Sequence, residues 1–136
     1  MINFKFIYAI FALSILFSLS QSFAQTQMQL NQEAGSSYKK AEQELNTIYQ
    51  QILKGYAKDT SFISHLKIAE KLWIKFRDAE LLMKYPPAPA GYYGSVQPMC
   101  ETSYLEQLTR DRIKTLKVWI EGIEEGDVCS GSVKHK

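Results

Sequence analysis

From Ala34 onward the apolar residues of this chain recur at intervals of three and four, and two breaks interrupt them, one at Asp59-Thr60-Ser61 and one at Pro86-Pro87. A period near 3.6, with no useful stretch of strict alternation, leaves helices as the regular structure available. The breaks therefore set how many helices there are and where the chain turns. Tyr38, Ala41, Leu45, Ile48 and Ile52 form the first stripe, widened by Tyr49, Leu53 and Tyr56, and predict a helix over 34–58. Asp59, Thr60 and Ser61 offer side-chain oxygens to the exposed amides of a helix starting near Ser61. Its stripe runs through Phe62, Leu66, Ala69, Trp73 and Phe76, with Leu72, Ala79 and Met83 beside it. Pro86 and Pro87 lack amide hydrogens and restrict the residue before them, which ends that helix near Tyr85. A third helix is expected from about Pro98 to Ile123, facing Leu105, Leu108, Leu116, Trp119 and Ile123 inward, with Gly122 or Gly126 ending it.

The first connection is short and makes its helices antiparallel neighbours, while residues 86–97 are enough to turn the chain again. The expected fold is all-α, a single three-helix up-down-up bundle with a Pro/Gly/Tyr-rich corner between helices 2 and 3. Sliding the helices into register places Glu42 opposite Arg77 and Glu70 opposite Arg112, and puts Asn46, Trp73 and Thr109 on one level. With Asp78, these residues form an expected structural polar core whose ion pairs fix register. The competing reading is an anion site made by Arg77 and Arg112, and nothing further in the sequence favours it.

Upstream, Lys5 precedes an almost unbroken apolar run from Phe6 to Phe17, followed by Ser22-Phe23-Ala24. This is the pattern of an export signal with cleavage expected after Ala24. The apolar run of about a dozen residues is short of the ~20 that span a bilayer, and no cysteine stands at the cut to carry a lipid. The expected organisation is a cleaved signal over 1–24, a helical domain over 25–125 and a flexible tail over 126–136, working in a periplasm or outside the cell without a membrane anchor. Of the 16 Lys and Arg only Lys5 leaves with the signal, so 15 cations face 14 Asp and Glu in the mature chain. So small an excess points to neither nucleic acid nor an anionic membrane as partner.

A catalytic reading needs a nucleophile with its base, paired carboxylates in a cleft, or metal ligands. His65 and His135 are the two histidines, and neither belongs to a cluster with zinc spacing. Glu121, Glu124, Glu125 and Asp127 gather at a helix end without the calcium-loop pattern. Ser95 follows Gly94 but lacks a nucleophile elbow's flanking glycines. No catalytic residue, metal site or cofactor is expected. The best candidate partner-binding surface is the corner, where Tyr92, Tyr93, Gly94 and Ser95 follow a proline-stiffened approach. Tyrosine combines apolar area with a hydrogen-bonding tip and few rotors, which suits interface anchors. The plainer alternative is that one tyrosine caps the open end of the bundle.

These residues resemble the LprI-like lysozyme-inhibitor N-terminal domain family, long catalogued as a secreted domain of unknown function, over most of the mature chain. The resemblance rests on Glu42, Leu45, Asn46 and Tyr49, on the block Trp73-Ile74-Lys75-Phe76-Arg77-Asp78-Ala79, and on Gly94, Ser95, Cys100, Thr109 and Arg112. It implies an exported, non-enzymatic binding protein that inhibits a lysozyme; the alternative, which needs only the bundle and its tyrosine corner, is an envelope interaction or scaffold module that binds another protein or a cell-wall component. Family members often carry two further cysteines where this chain has Glu33 and Leu81. Their joint loss leaves Cys100 and Cys129, either as one disulfide or as two free or intermolecular thiols. A bridge requires the tail to fold back nearly fully extended along a helix of ~30 Å.

Overall fold

In the computed structural model the backbone is described for residues 4–136 and the side chains from Thr26 onward. Three helices follow in order: α1 over Phe4–Gly55, α2 over Thr60–Lys84 and α3 over Gln97–Glu121. The fold is all-α, as the periodicity requires. The signal segment and its cleavage point fall on side chains outside the described residues. Helix α1 starts well before Ala34 because nothing between Thr26 and Glu33 breaks a helix. Gln27 donates to Asn31 and Gln29 to Glu33, each bond 2.9 Å long and one turn along the helix.

The breaks act as their chemistry dictates. Asp59 caps α2 by accepting the Phe62 amide at 2.9 Å. Tyr85 ends α2 next to Pro86, and Pro98 sits in the first turn of α3, where a missing amide hydrogen costs nothing. Gly122 closes α3 with φ 72 and ψ 176, a conformation open essentially to glycine alone.

Cross-helix contacts give the directions. Glu42 meets Arg77 and Tyr56 meets Phe62, so α1 and α2 are antiparallel. Ser37 meets Glu106 and Glu44 meets Lys117, so α1 and α3 run parallel. Ala41, Leu45, Ile48 and Ile52 of α1 and Tyr56 just after it are buried with Ile113 and Leu116 of α3, and α2 adds Leu66. Full burial of a side chain the size of Ile52 or Leu116 stabilises by about 1.5–3 kcal/mol. The backbones of α1 and α3 approach closely along their length, whereas α2 stands farther off. Long side chains bridge that gap: Phe62, Ile63 and Trp73 pack on the core from α2 while half-buried.

Standing off costs α2 part of its expected inner face. Leu72, Phe76 and Met83, read from the sequence as facing inward or lying beside the inward stripe, are exposed, together with Ile68 and Leu82. Helix α2 carries apolar residues on two faces. The inner one is defined by Leu66, Trp73 and the ion-paired Glu70 and Arg77, which turn these residues outward.

The expected polar core is correspondingly redistributed. Thr109 is fully buried and its Oγ1 has no hydrogen-bond partner. Glu70 and Arg112 are mostly buried, but Asn46, Glu42 and Asp78 lie at the surface.

The tail folds back onto the bundle. After Gly122 it reverses, and Ile123 pairs with the last residues through Ile123 N–H to Lys134 O at 3.0 Å and Lys136 N–H to Ile123 O at 2.9 Å. Trp119 Nε1 donates to Ser132 Oγ at 3.0 Å. The Lys134 ammonium reaches the Gly55 carbonyl at 2.9 Å and lies 4.4 Å from the centre of the Tyr56 ring. This strap closes the end of the bundle where α1 turns into α2. Both cysteines are free, Cys100 half-buried and Cys129 exposed. Cys100 lies in the first turn of α3 and Cys129 in the strap beyond its other end, with a straight helix between them.

Candidate functional site

The corner between α2 and α3 is a sequence of tight turns. Tyr92 N–H bonds Pro89 O at 3.1 Å, Gly94 N–H bonds Gly91 O at 3.0 Å and Gln97 N–H bonds Gly94 O at 3.3 Å. Gly91 and Gly94 hold φ 82 and φ 73, the left-handed backbone such turns demand. Within this frame the two tyrosines have different jobs. Tyr93 is half-buried, donates its hydroxyl to Pro86 O at 3.0 Å and packs edge-on against Tyr85 at 5.8 Å. Tyr92 stands edge-on to Tyr93 at 4.9 Å and remains 72 % exposed. Tyr93 is thus the strut and Tyr92 the tip. Gly94 and Ser95 are exposed, and Asn31 of α1 donates to Ser95 O at 3.2 Å, tying the corner to the first helix.

The sequence reading did not include Tyr85, Lys84 and Tyr104 in this corner. Lys84 lies 3.7 Å from the Tyr104 ring centre and 5.8 Å from that of Tyr85. Tyr104 donates to Glu80 at 2.9 Å, and that bond raises its phenol above the ordinary value. The available signal was the position of Tyr85, an aromatic residue directly before a proline pair.

The second expected cluster is a seam between the helices. The Arg77 guanidinium lies 5.5 Å and that of Arg112 5.8 Å from the Trp73 ring. Arg77 pairs with Glu42 at 3.3 Å and with its neighbour Asp78 at 2.8 Å, and Arg112 pairs with Glu70 at 2.9 Å. Burial opposes the Arg77 charge, but the Asp78 hydrogen bond and the surrounding oxygens override it and hold the group above its ordinary value. Tyr38 donates to Glu42 at 2.8 Å, and burial together with that bond pushes its phenol up to about 12. Glu42, Asn46, Tyr49, Glu70, Trp73 and Arg77 line an open cleft of about 250 Å³. Both guanidiniums are paired with carboxylates of the protein.

The acidic cluster Glu121, Glu124, Glu125 and Asp127 is exposed at the C-terminal end of α3, whereas the corner is at its N-terminal end. A helix of 25 residues places them about 37 Å apart. His65, in the first turns of α2, is exposed and directs Nδ1 at the Ser61 carbonyl, 2.8 Å away. Among the described residues no group of three or more His, Cys, Asp or Glu side chains is placed to hold a metal ion, and no helix is long and apolar enough to cross a membrane.

Comparison with known proteins agrees with the resemblance in the sequence. An uncharacterised protein of Rhizobium meliloti (strain 1021) is 30 % identical over 115 residues, covering 74 % of this chain and 78 % of the relative. No solved structure matches. The family model described as lysozyme inhibitor LprI matches residues 19–116, which takes in the seam, the corner and most of α3. The chain belongs to the lysozyme inhibitor LprI family.

Proposed function

We propose that this protein is an exported, non-enzymatic binding protein that inhibits a lysozyme, with the corner Tyr92, Tyr93, Gly94 and Ser95 as its contact surface. The observation that carries the reading is the family match over 19–116. The corner supports it physically. A ring that is mostly exposed yet braced by a second ring loses little freedom when a partner covers it. The flanking Pro87, Ala88, Pro89, Ala90 and Gly91 are small, so the tip projects without bulky neighbours in sequence. Export after Ala24 belongs to this proposal and rests on the sequence pattern of residues 1–24.

A second reading is an envelope module whose partner is another protein. The placement of charge favours it: animal lysozymes are basic, and the acidic cluster that would attract them lies at the opposite end of α3 from the corner. A cell-wall lysis assay separates the two. Purified protein is titrated into animal-type, goose-type and bacterial lysozymes, with calorimetry on any enzyme that slows. Saturable inhibition with one-to-one binding is expected. No effect on any class at about 100 µM, a concentration at which even micromolar binders saturate, sinks the inhibitor reading and leaves the module.

A further inference from the structure

The outward face of α2 is unusually apolar for a surface helix, and it is separate from both the seam and the corner. Ile68, Leu72, Phe76, Leu82 and Met83 are each between 52 % and 70 % exposed. At about 100° per residue they fall, with the exposed Ala79, in one sector of roughly 120° directed away from the core. Half or more of five large side chains leaves on the order of 500 Å² of apolar area open, near the upper end of the largest patch on an ordinary monomer.

The order of residues along this face is self-complementary. Ile68, Leu72, Ala79 and Met83 read the same in spacing from either end. A two-fold axis midway between Lys75 and Phe76 brings Ile68 level with Met83 of a second copy and Leu72 level with Ala79, a large side chain against a small one. Each flank meets itself across this axis, so Phe76 comes within one position of the partner's Phe76, an aromatic pair, while Lys75 on the other flank faces the partner's Lys75, where both ammonium groups can extend into solvent. Lys71 and the 57 % exposed Asp78 share one flank of the helix. In an antiparallel pair that flank meets itself, bringing Lys71 within two positions, about 3 Å of rise, of the partner's Asp78. Two such faces together remove about 1,000 Å² from water, the threshold for a specific interface.

We infer that this face of α2 is an isologous dimer interface, with two copies of the chain packed antiparallel about that axis. A membrane surface would also accept an apolar face flanked by lysines. Asp78 on the lysine flank counts against an anionic bilayer and complements a second copy. The inference is independent of whether the protein inhibits a lysozyme.

Sedimentation equilibrium of the full chain tests it, together with cross-linking that reads the register. A reversible dimer with a dissociation constant in the micromolar range is expected. The exposed pair Leu72→Glu and Phe76→Glu should weaken it at least ~tenfold, with unchanged helical circular dichroism. In a Cys100→Ser, Cys129→Ser background, Ile68→Cys combined with Met83→Cys should give a covalent dimer on mild oxidation. Either one alone should not, because like positions lie about 22 Å apart across the axis, and the same helical separation forbids an intramolecular bridge. Three results overturn the inference: a monomer at about 200 µM, whether or not it sediments with anionic vesicles; a dimer indifferent to the glutamate pair; or cross-linking as efficient from a single cysteine as from the two.

Discussion

Arg112 directs both Nε and Nη2 at one oxygen of Glu70, at 3.0 and 2.9 Å, joining α3 to α2 where their backbones stand apart. The two side chains are 14 % and 12 % exposed, whereas the Arg77–Glu42 pair has one partner 46 % exposed. Breaking a pair that is mostly out of water strands a charge, and breaking an exposed one does not. Urea unfolding should show a loss of about 3 kcal/mol for Arg112→Ala and about 1 kcal/mol or less for Arg77→Ala. Equal losses would mean that the Glu70 pair is as well solvated as the other.

The corner predicts a split between its tyrosines. Tyr92→Ala removes a mostly exposed ring that stands edge-on to Tyr93 and should change stability by no more than about 0.5 kcal/mol. Tyr93→Phe loses the bond to Pro86 O and should cost about 1 kcal/mol, visible in the same unfolding experiment. If the corner is the inhibitory surface, Tyr92→Ala abolishes inhibition of a responsive lysozyme while leaving the melting temperature in place.

Gly122→Ala should detach the strap. An added Cβ would lie 2.9 Å from the Lys134 carbonyl oxygen, and φ 72 with ψ 176 is itself closed to alanine. A cost of about 1–3 kcal/mol is expected, with hydrogen exchange accelerated at the Ile123 and Lys136 amides and unchanged in the middle of α1.

Acid should act through Glu106. The Ser37 hydroxyl and then Arg110 hold its carboxyl below the ordinary value. A folded value below the unfolded one contributes stability that is present above the unfolded carboxyl pKa and is lost as pH falls through the folded value. Glu106→Gln has no such group to lose, so the stability gap between wild type and variant should narrow between about pH 5 and pH 3. Unfolding curves across that range give the measurement. A gap that stays constant would rule out this linkage.

Helix number and the two interhelix ion pairs were readable because each follows from local chemistry or from register. Asp59 and the proline pair announce turns, and antiparallel counting brings Glu42 to Arg77 and Glu70 to Arg112. Apolar spacing was a weaker guide on α2. A helix with hydrophobic residues on two faces gives one broad stripe, and only the third dimension shows that Trp73 turns inward while Leu72 and Phe76 turn out. The strap was illegible for another reason: its anchors are backbone hydrogen bonds around Gly122 and Ile123, and composition rich in Gly, Ser and Lys carries no trace of them. Tyr92 and Tyr93 were marked as a pair, but their division into tip and strut depends on a hydroxyl reaching the Pro86 carbonyl.

The closest backbone pairing in this bundle joins its first and last helices, and that order has a kinetic consequence. The Ser37–Glu106 and Glu44–Lys117 bonds span 69 and 73 residues. A chain that packed α1 mainly on α2 would gain its best contacts from a short hairpin. Here the entropy of closing a long loop is lost before most of the core can form. The protein should therefore fold more slowly than its helical content implies, with a contact order above that of helical bundles built from sequence neighbours.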